Sequence, residues 1–144
     1  MDVLHAICES LLIPEAVYDE IMARKERPDA QAIADSRWIR VAAVKNQLAV
    51  TRLMKAAGLH VGESEAIVLA RERKADRIIL DDLAARRVAS RRRMPVIGTL
   101  GLLLLAKTLH LIPSVQPTLT ELIAAGRYVD PATYREVLTL AGEM

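Results

Sequence analysis

Five carboxylates in this chain are spaced so that they could work together. Glu63 and Glu65 open the stretch "GESEAIVLA", Asp81 and Asp82 close "RIILDD", and Glu20 lies in "PEAVYDEI". Clustered carboxylates repel a phosphate unless a cation intervenes, and hard divalent ions such as Mg²⁺ or Mn²⁺ prefer carboxylate oxygens and water. Such an ion can polarise a phosphoryl oxygen, activate a water and steady the leaving oxygen. The chemistry on offer is metal-assisted cleavage of a phosphodiester. Arg86, Arg87, Arg91, Arg92 and Arg93 follow within eight residues and could track a phosphate backbone. The chain has no Phe and one Trp, so base stacking would be a minor term.

Each of these residues also has a plainer explanation. Asp82 precedes a helix and suits its N-cap. Glu63 and Glu65 fall in a first helical turn, where negative charge complements the dipole, and Arg91–Arg93 end a helix, where positive charge does. Glu20 lies off the apolar stripe of its helix, as a solvated residue would. Glu65 fits the plain reading least well, because Val68 and Leu69 place it above an apolar face.

The elements that must position these groups alternate between strands and helices. Leu11–Ile13 reads as a short strand, and Pro14 suits the first position of the helix that follows, with Val17, Tyr18, Ile21 and Met22 at helical spacing. "RPDAQAIADSRWIRV" reads as a helix to about Ser36 and then a strand at Trp38–Val41. Leu48–Ala57 is a helix that Gly58 can end. Helices at Glu63–Lys74, Leu83–Arg92 and Thr99–His110 alternate with strands in "RIILDD" and "MPVIGT". Helices at Thr118–Ala125 and Pro131–Ala141 close the chain. The expected class is α/β with a mainly parallel sheet. In such sheets the site lies beyond the carboxyl ends of the strands, where Asp81, Asp82, Gly98 and Thr99 fall.

The 144 residues suffice for one domain, and a hydrophobic content of 52% argues against disorder. Net charge is only +2, so overall charge does not argue for nucleic acid. Cys8 is the single cysteine, which leaves no intrachain disulfide and fits a reducing compartment. His5, His60 and His110 form no zinc pattern. "LGLLLLA" is far shorter than the roughly 20 residues a membrane span needs. No signal peptide is visible after Met1, so a cytoplasmic protein without membrane association is expected. No G-x-G-x-x-G or P-loop is present, which disfavours a nucleotide-binding Rossmann protein. The run Leu102–Leu105 reads as core, though a homodimer through it is compatible with the sequence.

"LLIPEAVYDEI", "GESEAIVLA", "IILDDLAARRVA" and "VIGTLGLLLLAK", in this order and spacing, resemble PIN domains of the DUF3368 branch, related to the VapC-type toxin nucleases. The resemblance covers nearly the whole chain. It implies a Rossmann-like three-layer α/β/α fold over a single domain, 1–144, and a Mg²⁺- or Mn²⁺-dependent ribonuclease site. The family's acids fall on Glu20, on Glu65 with Glu63 beside it, and on Asp82 with Asp81 adjacent. The implied catalytic and metal-holding residues are Glu20, Glu65 and Asp82, with Glu63 and Asp81 assisting. Arg86, Arg87, Arg91 and Thr99 would contact substrate RNA. If the chain is a toxin, an antitoxin protein should cover the acidic cleft.

The resemblance also exposes a departure. PIN domains open with a central strand that carries the first metal-binding Asp, and nothing here corresponds to it. One expectation is that Met1 is an internal residue of a longer chain. Otherwise the neighbouring strands must close together, another chain must supply the strand, or stability is poor, because buried unpaired N–H and C=O groups are costly. Weak metal affinity follows from the missing ligand. The alternative function is a PIN-like module that binds RNA or protein without cutting.

Overall fold

The computed structural model describes residues 2–24, 26 and 28–144. Met1, and with it the reading of Met1 as an internal residue, lies outside the described residues. The chain divides into two compact units: Cys8–Ile97 in one, and Asp2–Ile7 with Gly98–Met144 in the other.

In the first unit, strand β1 (Leu11–Pro14) leads into helix α2 (Glu15–Met22), after a short first helix α1 (Asp2–Ile7) that belongs to the second unit. Pro14 is the last residue of β1 and the N-cap of α2, with an extended ψ of 156°. The sequence reading placed it one residue further into the helix; a proline fits either position because no ladder N–H is required of it. Helix α3 (Pro28–Asp35) and strand β2 (Ile39–Ala42) follow, and β1 pairs with β2 in parallel, Leu11 opposite Ile39. The Leu11 N–H donates to the Trp38 carbonyl at 2.9 Å, which fixes the start of this pair.

Helix α4 (Gln47–Ala57) ends at Gly58, whose φ of 66° is the left-handed conformation that glycine takes without steric cost. Helix α5 (Val61–Arg73) packs against α4, α2, β1, α6 and β3. Ile67, Val68 and Leu69 are all buried, and three consecutive residues sweep most of a helix circumference. This helix is thus a core element covered on several sides, not a half-buried surface helix.

Strand β3 (Ile78–Ile79) leads through Leu80–Asp82 into helix α6 (Leu83–Arg91), and strand β4 (Val96–Ile97) pairs with β3 in parallel. Ile78 N–H donates to the Pro95 carbonyl at 2.8 Å and Leu80 N–H to the Ile97 carbonyl at 3.0 Å. "RIILDD" therefore makes only a short ladder, with one partner strand.

The fold is mixed α/β with parallel pairing, as expected. Among the described residues the pairing forms two sheets of two strands each, β1–β2 and β3–β4. Direct closure of β1 onto β3, one of the anticipated repairs, does not occur among the described residues. Instead α5 contacts a strand of each pair. The core of this unit runs from Ala42 and Val44 through Val50, Leu53 and Ile67–Leu69 to Leu80, Ala85 and Ala89.

The second unit holds helices α7 (Thr99–Thr108), α8 (Gln116–Ala124) and α9 (Pro131–Leu140) besides α1. Leu103, Val115, Leu119, Val137 and Leu138 form its core. The leucine run is core in part, since Leu103 is buried while Leu102, Leu104 and Leu105 are half-buried. The Glu143 carboxylate ties the chain end down. One oxygen accepts from Lys107 Nζ at 2.9 Å and from the Val115 N–H at 2.6 Å, and the other accepts from the Gln116 N–H at 3.0 Å. Those amides belong to the start of α8, so Glu143 caps that helix from a distance.

Candidate active site

Four of the five carboxylates singled out by sequence meet at one place. Glu20 on α2, Glu63 on α5, and Asp81 and Asp82 after β3 line a cavity of about 230 Å³, together with Val17, Gly62, Ala66, Ile79 and Leu80. No cation is among the described residues that line it. The cavity lies at the carboxyl end of β3, where the strand–helix pattern put Asp81 and Asp82, beside the N-terminal end of α5.

Gly62 lets this assembly form. A Cβ at position 62 would lie 3.3 Å from Glu20 Oε1 and 3.4 Å from Val17 Cγ2, tighter than most real contacts. Having no side chain, residue 62 thus leaves room for Glu20 and Val17 of α2 beside α5. Its role is missed by reading for chemistry alone, although "GESEA" displays it.

Glu63 and Glu65 differ sharply. Glu65 is 7% exposed, and its Oε1 accepts the Ala16 N–H at 3.1 Å. Ala16 is in the first turn of α2, whose own N-cap, Pro14, offers no side-chain hydrogen bond. Glu65 thus satisfies one of the amides that every helix start leaves unpaired, and it is absent from the lining of the acidic cavity. Glu63 does line it, and its Oε2 is buried with no hydrogen-bond partner. Two residues apart on a helix, they are turned by about 200°, so they serve different surfaces.

Asp82 is the N-cap that the sequence suggested and also lines the cavity. Its Oδ2 accepts the Ala85 N–H at 2.8 Å, at the start of α6. Asp81 and Asp82 are exposed, as is Glu20. Arg86, Arg87 and Arg91 are exposed on α6, whose Ala85 and Ala89 face the core, and none of the three lines the cavity. Thr99 opens α7 in the second unit. Cys8 is half-buried; burial pushes its thiol pKa up, against a weaker lowering by Arg77, so it is no poised nucleophile.

The donor chemistry fits a hard divalent cation: carboxylates only, one of them with an oxygen that is buried and unpartnered. As they stand, no group of three or more His, Cys, Asp or Glu side chains among the described residues is close enough together to hold a metal ion. Closing such a site would require the carboxylates to move, and for Asp82 that means giving up or sharing the Ala85 N–H.

The DUF3368 family, a PIN domain, matches residues 1–143. The chain belongs to this family of PIN domains. Membership points to a nuclease-like function, which agrees with an acidic cavity at the end of a parallel strand. No curated protein and no solved structure matches the chain. No helix among the described residues is long and apolar enough to cross a membrane.

Proposed function

We propose that this PIN domain is a divalent-metal-dependent ribonuclease, with Glu20, Glu63, Asp81 and Asp82 as the groups that hold Mg²⁺ or Mn²⁺. The observation that carries the reading is the buried, unpartnered Glu63 Oε2 in a cavity lined by three further carboxylates. Leaving such an oxygen unsatisfied costs about 1–3 kcal/mol or more, a cost that a cation would remove. When bound, the ion supplies charge neutralisation at the phosphoryl group and lowers the pKa of the attacking water.

The chain's own residues do the rest. Asp81 and Asp82 are exposed and line the cavity; one of them, when not engaged with the cation, would accept the proton that water gives up. Arg86 and Arg87, on the outward side of α6 about one turn beyond Asp82, attract the substrate phosphates. Glu65 acts as a positioning residue: through the Ala16 N–H it holds the start of α2, and α2 carries Glu20. In this reading the ligand role that the resemblance gave to Glu65 passes to Glu63. The chain is cytoplasmic and acts as the toxin of a toxin–antitoxin pair, with an antitoxin covering the acidic cavity.

The test is RNA cleavage with Mg²⁺ or Mn²⁺, repeated with EDTA, with Glu63→Gln and with Asp82→Asn. Asn retains an oxygen for the α6 cap, so that variant loses the charge and not the helix start. Loss of cleavage in all three arms supports the reading; cleavage that persists with EDTA and both variants rejects it. A second reading, a PIN-like module that binds without cutting, is favoured by the lack of a ready group of three ligands among the described residues. It predicts RNA or protein binding that EDTA leaves intact and no cleavage in any arm.

A further inference from the structure

The opposite end of the same βαβ unit carries the opposite charge. A cleft of about 400 Å³ lies where α5 and α6 end and β3 and β4 begin, and Arg71, Lys74, Arg77, Arg92 and Arg93 line it. No carboxylate is among the described residues that line it. All five cations are exposed, and among the described residues none of them forms an ion pair.

Helix-end electrostatics explain only part of this. Cations on the last turn of α5 or α6 complement the dipole, but Arg77 lies beyond α5, next to β3. Lys74 and Arg93 hold φ angles of 51° and 59°. Glycine takes this left-handed conformation more easily than any residue with a side chain. Two separate turns thus place a cation where glycine would fit with less strain, and both border the same cleft.

We propose that this cleft is a second nucleic-acid contact, which holds the phosphate backbone of single-stranded RNA away from the acids. The proposal rests on the ribonuclease reading for the identity of its polyanion. Five cations spread over two turns match a row of phosphates better than one free phosphate, and a concave cleft does not suit a flat lipid surface. No aromatic residue lines the cleft, so the contact reads charge and not base. Lys74 lies about 17 Å along α5 from Glu63, at 1.5 Å rise per residue. An RNA that engages both ends must therefore be several nucleotides long, and the cleft favours long substrates over short ones.

The experiment is filter binding of a labelled 20-nucleotide polyuridylate, over a range of salt, to the Glu63→Gln chain, which keeps the probe uncut. It is repeated with Arg71→Gln, Arg77→Gln and Arg92→Gln added together. Circular dichroism checks that the fold is retained. The expected result is an affinity loss of about tenfold or more and a salt slope shallower by about 2, at roughly 0.7 per single-strand phosphate contact. Equal affinity and equal slope overturn the proposal, as does an absence of RNA binding at low salt. Displacement of the RNA by inorganic phosphate, beyond the effect of chloride at matched ionic strength, assigns the cleft to a free anion and also overturns it. The ribonuclease reading is judged separately by cleavage, so a chain that cuts RNA yet passes none of these arms retains that function and loses this contact.

Discussion

Glu63 and Glu143 are both partly exposed glutamates, one in each compact unit, and their surroundings could hardly differ more. Glu143 has both oxygens occupied, by two backbone amides and a lysine, and these bonds hold its pKa below the usual carboxylate range, the Val115 amide most of all. Glu72 is similar, with its pKa lowered by the backbone amides of Lys45 and Asn46. Glu63 has a buried oxygen with nothing to accept from, and its cavity neighbours are other acids. A carboxylate whose partners are all supplied by the fold serves the fold. In the ribonuclease reading, the one that the fold leaves unsatisfied, among like charges, is where the cation would bind.

The largest expected effect separates the two glutamates directly. Glu63→Gln should lower RNA cleavage by about 100-fold or more while leaving thermal stability unchanged or raised, because a like charge is removed. Glu143→Gln should do the reverse: a lower thermal midpoint with the cleavage rate of the folded protein retained. A Glu63→Gln chain that unfolds readily and a Glu143→Gln chain that is catalytically dead would break the contrast.

Next in size is Gly62→Leu, which drives a side chain into Glu20 and Val17. We expect a loss of about 1–3 kcal/mol in urea unfolding, the usual cost of overpacking, together with reduced cleavage as α2 shifts. A neutral result would mean that the approach of α2 to α5 is not what sets the acids. Smaller still is Lys74→Gly, which relieves a left-handed residue. Stability should rise by about 1 kcal/mol while RNA affinity falls. A rise in both would detach the strained cation from RNA binding.

The pH dependence gives the subtlest comparison. The folded pKa of Glu143 lies below its ordinary value of 4.5, and that of Asp130 below 3.8, chiefly through its Thr133 hydrogen bonds. A depressed folded pKa contributes stability that is fully present above the ordinary value and is lost as pH falls through the folded one. An acid titration followed by circular dichroism should show this loss below about pH 4.5, the ordinary value of Glu143. It should shrink in Glu143→Gln and persist in Glu63→Gln.

Much of this was readable in the sequence where the signal is local. Gly58 ends α4, Asp82 caps α6, and "RIILDD" delivers its acids to a strand end; each depends on neighbours within a few residues. What was not readable depends on distant partners. Glu65 reaches an amide 49 residues away, and no spacing rule says which of two acids in "GESEA" turns inward to do so. The resemblance named Glu65 with Glu63 beside it; of the two, Glu63 lines the cavity. The division into two strand pairs was hidden for a similar reason, since periodicity identifies strands and not their partners. The basic cleft escaped because its cations come from turns almost 20 residues apart, each of which looks like an ordinary helix end.

Trp38, whose carbonyl fixes the start of the β1–β2 pair, is the chain's only tryptophan. Its emission therefore reports on the first compact unit alone, while α8 and α9 of the second are visible chiefly to far-ultraviolet dichroism. Coincident melting by the two probes would mean that the units unfold in one cooperative step. Separate transitions would reveal a state in which one unit stands while the other has melted, and the order of the transitions would say which unit is stable without its neighbour.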